Sequence, residues 1–388
     1  MIRQIFKMIW NRKRQNSLII IEMFFAFLIL FVVLSFVFYQ FENYRSPLGF
    51  DTEDIWIASL NLPAEIDSAS IVDTKQRLTQ AINSMPEIQT TGYCFDVLPF
   101  SNSNWINTSD DNGFMLRTHM IYADEGFADA IGLELIEGEW FNEVNTKGKY
   151  SPLVITKLLR DTYYKDSSVI GKVITLSGEQ QIVGVVDHYK YHGEFEEERP
   201  LSFFHMKPED DNGLGLVMRV KPGTPPAFEE EVNRTIRNIA KGWDFVIFHQ
   251  ETQRARNSEQ TWIPIVALLS ACGFLVFNVA LGLLGVLMYN IKKRRAEIGL
   301  RRAVGAPAGN IITQFLLEML ILTSLGVFVG LIFAAQVPIM KLFEVGNHIF
   351  VYGMLASMGI IFVLVSICTL YPSTQASQIH PALALHEE

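Results

Sequence analysis

Residues Leu18 to Tyr39 read LIIIEMFFAFLILFVVLSFVFY, twenty-two positions with Glu22 as the only charge. At about 1.5 Å of rise per residue such a helix reaches about 33 Å, enough to cross a hydrocarbon core of roughly 30 Å. Residues 1–17 ahead of it carry Arg3, Lys7, Arg12, Lys13 and Arg14 and no acidic side chain, as the basic start of a signal peptide would. The apolar stretch is too long for that, and the following FYQFENYRSP offers no small-residue cleavage site. The segment 18–39 is therefore expected to be an uncleaved membrane anchor.

Three more runs of this kind follow, at 262–290, 311–338 and 349–371. Each is too long and too apolar for an ordinary core helix. Orientation follows from lysine and arginine in the short flanks. The loop 291–310 holds Lys292, Lys293, Arg294, Arg295, Arg301 and Arg302 against Glu297 alone, whereas the loop 339–348 has only Lys341 and Glu344. Both basic flanks belong in the cytoplasm. Four spans then place the tail 372–388 there too, although it has no lysine or arginine, and residues 40–261 outside.

That outer segment is acidic. It holds 20 of the chain's 32 basic residues but 35 of its 41 acidic ones, so it is more negative than the whole-chain value of −9. Nucleic acid and anionic lipid are poor partners for such a surface; no nucleic-acid partner is expected, and lipid is met by the spans. Of the three cysteines only Cys94 lies in the outer segment, which excludes a disulfide within it and any zinc-type spacing. No GxxxxGK[ST], GxSxG, HExxH or CxxC occurs, so no catalytic, cofactor or metal site is expected, and no ATP hydrolysis through a phosphate loop. Asp187, His188 and His192 cluster without further ligand spacing and read as a solvated loop. The run Glu194–Arg199 (EFEEER) reads as a solvated turn or helix start.

The expected fold class is an α-helical membrane protein with four transmembrane helices plus a large α/β extracytoplasmic domain. Asp54–Asn61 reads as a strand, Ile71–Met85 as a helix and Glu87–Val97 as a strand. The same order recurs at Leu214–Val220, at a helix carrying Phe228, Val232, Ile236 and Ile239, and at Trp243–Gln250. Two such βαβ units can share one sheet, as in ferredoxin-like folds. Between them a β-rich subdomain is inserted at about 100–205. It opens on the polar loop Ser101–Gly113 and contains a hairpin, Val173–Leu176 and Gln181–Val186, turning at Ser177–Gly178.

Residues Lys292–Gly330 read KKRRAEIGLRRAVGAPAGNIITQFLLEMLILTSLGVFVG. The order of a basic pair, E-I-G, a second basic pair, A-x-G-A and Q-F-L-x-E closely resembles the signature of the MacB/FtsX family of ABC transporter permeases. Tyr371–Leu385, with its Y-P and later P-A-x-A-L, resembles the family's closing segment, without the basic residues often found between them. Phe127–Phe141 and Val169–Val186 resemble its periplasmic core domain, and the layout of one span, an outer domain and three spans matches. The resemblance implies a multi-pass inner-membrane protein with a periplasmic domain and a separate ABC ATPase subunit that carries ATP and magnesium. It also implies a second permease chain, the same or homologous, and mechanotransmission in place of passage through the membrane core. A periplasmic adaptor and an outer-membrane channel are further partners of such machines. Export or extraction of a substrate, lipoprotein release and control of cell-wall hydrolases all remain open within the family. A membrane sensor is the alternative outside it.

The residues themselves nominate a coupling element. If Arg294–Val304 is one helix, Ala296, Leu300, Ala303 and Val304 share one face. Arg294, Arg295, Glu297, Arg301 and Arg302 share the other, with Ile298 as an apolar knob among the charges. The knob is expected to dock on the ATPase, and the Leu300 face to pack on the subunit's own helices. Glu22 and Glu318 lie within spans and are expected to pair with arginines or reach the interface. Gly326, Gly330 and Ala334 form a small-residue row suited to close helix packing, within one subunit or between two.

Overall fold

A computed structural model describes residues 13–63, 65–95, 98–111, 114–165, 168–210, 213–343 and 345–378. Arg3, Lys7, Arg12, Val97, Gly113, Glu344 and the closing P-A-x-A-L element at 381–385 lie outside the described residues. Elements run in chain order from α1 (Lys13–Arg45) through β1 (Ile55–Asn61), α2 (Ser68–Asn83), β2 (Ile88–Phe95), β3 (Ile106–Asp111) and β4 (Phe114–Ala123). Then come α3 (Phe127–Ile131), β5 (Leu135–Gly138), α4 (Glu143–Thr146), β6 (Ser151–Thr156), α5 (Lys157–Tyr164), β7 (Val173–Thr175) and β8 (Glu179–Val186). The chain closes with β9 (Leu201–His205), β10 (Leu214–Val220), α6 (Phe228–Ile239), β11 (Asp244–His249), α7 (Gln250–Lys293), α8 (Arg295–Ala303), α9 (Ala308–Ile339) and α10 (Asn347–Ser377). Two compact units result, one of residues 42–262 and one of residues 1–41 with 263–388.

In the outer unit the strand order β11-β1-β10-β2 is antiparallel between neighbours. Each βαβ unit therefore holds a parallel pair with one strand of the other unit between them, which is the interleaved ferredoxin-like arrangement read from the sequence. Strand alternation explains why both faces are apolar. Trp56, Ala58 and Leu60 join Leu78 and Ile82 of α2 and Phe228, Val232 and Ile236 of α6 on one face. Ile55, Ile57, Cys94 and Val217 meet Phe127 and Ile131 of α3 on the other.

The inserted segment is not a separate sheet. It continues the first through a two-residue junction, Cys94 opposite Ala123 and Phe95 opposite Tyr122, to make one sheet of eleven strands among the described residues. It still has its own core, with Leu116, Leu153, Ile155, Leu159 and Phe204 among its members. The polar stretch read as a loop is in part β3, paired with β4 from Ile106 opposite His119 onward. A strand paired along one side needs no apolar face of its own, so its polar composition concealed it. The hairpin β7–β8 pairs Thr175 with Glu179 and turns through Leu176, Ser177 and Gly178, the last two at positive φ (51° and 114°).

Among the described residues four helices, α1, α7, α9 and α10, are long and apolar enough to cross a membrane. The core of the other unit joins Ile19, Met23 and Phe27 of α1 to Met319, Leu322 and Val327 of α9, with Leu283 of α7 and Ile361 of α10. The row Gly326–Gly330–Ala334 is the seat of α1 within the same chain. A Cβ on Gly326 would stand 2.7 Å from the Ile20 carbonyl oxygen, and one on Gly330 2.5 Å from the Phe27 ring. At Gly326 the neighbour is the backbone of α1 and at Gly330 a packed ring, so a side chain at either position would push α1 or the Phe27 ring away.

Candidate coupling site and its anchorage

Helix α7 ends at Lys293, and Arg294 breaks the path at φ −103°, ψ 12° before α8 begins. At its other end α8 stops in a Schellman motif. Gly305 N donates to Arg302 O at 3.1 Å and Ala306 N to Arg301 O at 3.0 Å, with Gly305 at φ 96°. Pro307 then starts α9. Glycine at the left-handed position and proline just beyond are what ends one short helix and opens another.

The orientation of α8 reverses the expectation. Ile298 is 4% exposed and packs with Ile291, Ile311, Phe315 and Ala376, so it is a core residue of its own subunit. The charged face points the same way because its charges find partners there. Arg294 donates to Glu318 through both terminal nitrogens, at 2.8 and 2.9 Å, with both side chains buried, and its guanidinium lies 5.8 Å from the Phe315 ring centre. Arg301 donates to Gln314 Oε1 at 2.6 Å and pairs with Glu297 one turn back. Arg302 donates to the Ala306 carbonyl at 3.2 Å. The opposite face is bare: Ala296 and Ala303 are exposed, Leu300 is 56% exposed and Val304 82%. The apolar stripe faces outward and the knob inward.

Periodicity identified which residues share a face but not which face turns in. The signal that decides it is Glu318. A carboxylate buried among helices needs a cation nearby, and the loop that bears Arg294 is within reach. The pairing expected of the intramembrane acids thus holds for Glu318. Glu22 has no hydrogen-bond or ion-pair partner among the described residues. It lies against Gly282 of α7, where a Cβ would come within 2.6 Å of its Oε1, and it borders an apolar cavity of about 200 Å³ with Cys272 and Ile361.

The outer unit contains an anchorage that sequence reading missed. The connection between β8 and β9, residues 187–200, fastens the last turn of α1 to the first turns of α7. Lys190 is 3% exposed and donates to the Asn43 and Glu194 carbonyls, both at 2.7 Å. Burial holds its pKa down to about 8. Asn43 returns a bond to Phe195 O at 3.1 Å, and the Phe195 ring sits 5.2 Å from Tyr44 and 5.4 Å from Trp262. Glu194 accepts from Arg254 and, at 2.9 Å, from Ser258, while Asn257 donates to His192 O at 3.0 Å. The acidic run is therefore a clamp and not merely a solvated turn, since Glu194 is buried and Glu198 bonds His188 at 2.8 Å. Asp187 pairs with Lys157, and His192 bonds Ser101 O. Among the described residues no group of three histidine, cysteine, aspartate or glutamate side chains could hold a metal.

Residues 269–381 match the family model described as FtsX-like permease C-terminal. The macrolide export ATP-binding/permease protein MacB of Campylobacter fetus subsp. fetus is 25% identical over 305 residues, covering 69% of this chain and 45% of that protein. The protein of the same name from Bdellovibrio bacteriovorus is 30% identical over 179 residues, covering 43% of this chain and 26% of its own length. The chain thus spans less than half the length of these curated relatives. The crystal structure of the periplasmic region of MacB from Actinobacillus actinomycetemcomitans aligns with a TM-score of 0.39 at 10% identity, over 54% of this chain and 95% of that one.

Proposed function

We propose that this chain, an ABC transporter permease of the FtsX/MacB type, takes its drive from an ATPase on a separate chain that docks on the outward face of α8. The observation that carries this reading is the stripe Ala296–Leu300–Ala303–Val304. It lies exposed on a short helix whose other side is fixed by Ile298 and by the Arg294–Glu318 pair. An apolar stripe flanked by charges supplies affinity at its centre and register at its edge. The anchorage makes the helix a handle on α9 and α10, so a push on the stripe moves them with it.

In this reading the basic residues around α8 and the N-terminal helix face the cytoplasm, and residues 42–262 lie in the periplasm. Movement of the spans reaches the outer domain through the Lys190–Glu194 clamp, which holds the ends of both α1 and α7. A second permease chain completes the assembly, and the work done is export or extraction of a substrate from the envelope. No catalytic role falls to this chain. A photo-crosslinking residue placed at Leu300 should trap the ATPase chain in native membranes, and one placed at Gly309, in the first turn of α9, should trap it less. Equal trapping at both positions, or none at Leu300, would refute the docking face.

A further inference from the structure

We propose that the face of α7 carrying Ala267, Ala271, Phe274, Asn278, Leu281 and Gly285 packs on the same face of a second copy of this chain, with the two Asn278 carboxamides hydrogen-bonded to each other inside the bilayer. This rests on the reading that a second permease chain completes the assembly, and it names both the surface that joins them and the identity of that chain.

Asn278 lies near the middle of the apolar run 262–290. At 1.5 Å per residue it stands about 18 Å along the helix from position 290 and farther from 262. Its side chain is exposed. Nδ2 donates to the Phe274 carbonyl one turn back at 2.8 Å, and Oδ1 accepts no hydrogen bond among the described residues. Hydrocarbon offers neither donors nor acceptors, and an asparagine is too short to reach the interface as a lysine or arginine does. A carboxamide at this depth therefore needs a polar partner from protein. The same carboxamide on an identical chain supplies one, because it brings a donor and an acceptor at the same depth.

The rest of the face fits a second α7. Its six positions follow one another at spacings of 4, 3, 4, 3 and 4, the a/d repeat of a left-handed coiled coil. All six are exposed. Of the four spans α7 is the least covered by its own chain, with 11% of its most apolar stretch buried against 33–44% in the others. A Cβ on Gly285 would meet nothing within 4 Å, whereas Gly326 and Gly330 are crowded by α1. Three of the six residues are alanine or glycine, which lets two backbones approach, and Phe274 and Leu281 supply apolar contact between them. The adjoining exposed positions Val266 and Phe277 are bulky and apolar, as contact with lipid favours. Two copies inserted in one direction have parallel α7 helices, and a two-fold axis along the membrane normal sets Asn278 opposite Asn278. A single asparagine in such a seam fixes register and strand number.

The test uses the full chain with Cys94, Cys272 and Cys368 replaced by alanine and one new cysteine at a time, oxidised in native membranes. Ala271→Cys, Phe274→Cys and Leu281→Cys should give disulfide-linked homodimers, and Val266→Cys and Phe277→Cys about a tenth as much or less. In detergent, Asn278→Leu should raise the dimer dissociation constant about tenfold or more, and Asn278→Gln, which keeps the amide, should raise it less. Gly285→Ile has room within the single chain and should weaken the dimer too; it serves as the readout if Asn278→Leu disturbs folding. Equal cross-linking at all five positions, cross-links to a chain of different mass, or an unchanged dissociation constant in both Asn278→Leu and Gly285→Ile would overturn this interface and leave the second permease chain standing. A chain that is monomeric in every one of these measurements would overturn both.

Discussion

Leu300→Asp is the substitution that separates a docking surface from a structural one. Leu300 makes few contacts within the subunit, being 56% exposed, so its loss should change stability by no more than the ordinary surface range of about 0.5 kcal/mol, plus a few tenths for helix propensity. Burying a leucine at an interface contributes about 1.5–3 kcal/mol. A carboxylate in its place also meets a desolvation cost, so a docking loss of about 2 kcal/mol or more is expected, roughly thirtyfold in affinity. Asp near a helix C-terminus is itself slightly unfavourable, by about 0.3–1 kcal/mol, so Leu300→Lys is the companion variant. It reverses the dipole effect while still removing the apolar contact. Both should lose co-purification with the ATPase and permease-dependent ATP turnover, with membrane insertion and melting unchanged. Ile298→Val, which trims one methylene from the buried cluster at a cost of about 0.5–1.5 kcal/mol, should keep ATPase binding. Full ATPase binding and turnover in both Leu300 variants would refute the docking face.

The pair Leu300 and Ile298 also shows where sequence reading stops. The helix and its two faces were legible because a 3.6-residue period is a local property, whereas Arg294, read as the first helical residue, is the break before it. The inward direction was not legible, since it depends on Glu318 and Gln314, 24 and 13 residues beyond the arginines they satisfy, which look solvent-facing in isolation. The same limit recurs in the outer unit. The βαβ units were legible from alternation and helical spacing. β3 was not, because an edge strand of Asn, Thr and Ser is specified by its partner strand and not by its own apolarity. The clamp escaped notice because EFEEER looks solvated until Arg254 and Ser258, about sixty residues later, supply donors to Glu194. Apart from the pairing of Glu318 with an arginine, which its place in a span demanded, what rests on long-range pairing of polar groups was hidden.

Three further outcomes are expected. Glu318→Gln should lower the stability of the membrane unit by about 3–5 kcal/mol because it strands a buried guanidinium, and adding Arg294→Met should recover most of that loss; a double variant no better than Glu318→Gln would mean the pair is not the source. Gly330→Ile should lower the melting temperature of the solubilised chain, since its side chain must displace the Phe27 ring that a bare Cβ already crowds at 2.5 Å; an unchanged melt would show that α1 does not seat there. The last concerns acid. His119 is 7% exposed and bonded to Tyr191 at 3.1 Å, and burial, then Arg199, His192 and Arg117, hold its pKa down to about 4 from 6.5. Between those values the unfolded chain takes a proton that the folded chain refuses, so this group's contribution is lost as pH falls from about 6.5 to 4. Asp124 works against it. Burial raises its pKa from 3.8 to about 7, so the folded chain keeps a proton the unfolded one releases, a contribution present at low pH and lost as pH rises through 7. Five of the six tryptophans lie in the outer unit, so tryptophan fluorescence follows its melting. Relative to the unaltered chain, His119→Gln should lose less stability on acidification from pH 7 to 4, and Asp124→Asn should lose more. Melting temperatures that run parallel across that range in all three proteins would show that neither group titrates differently on folding.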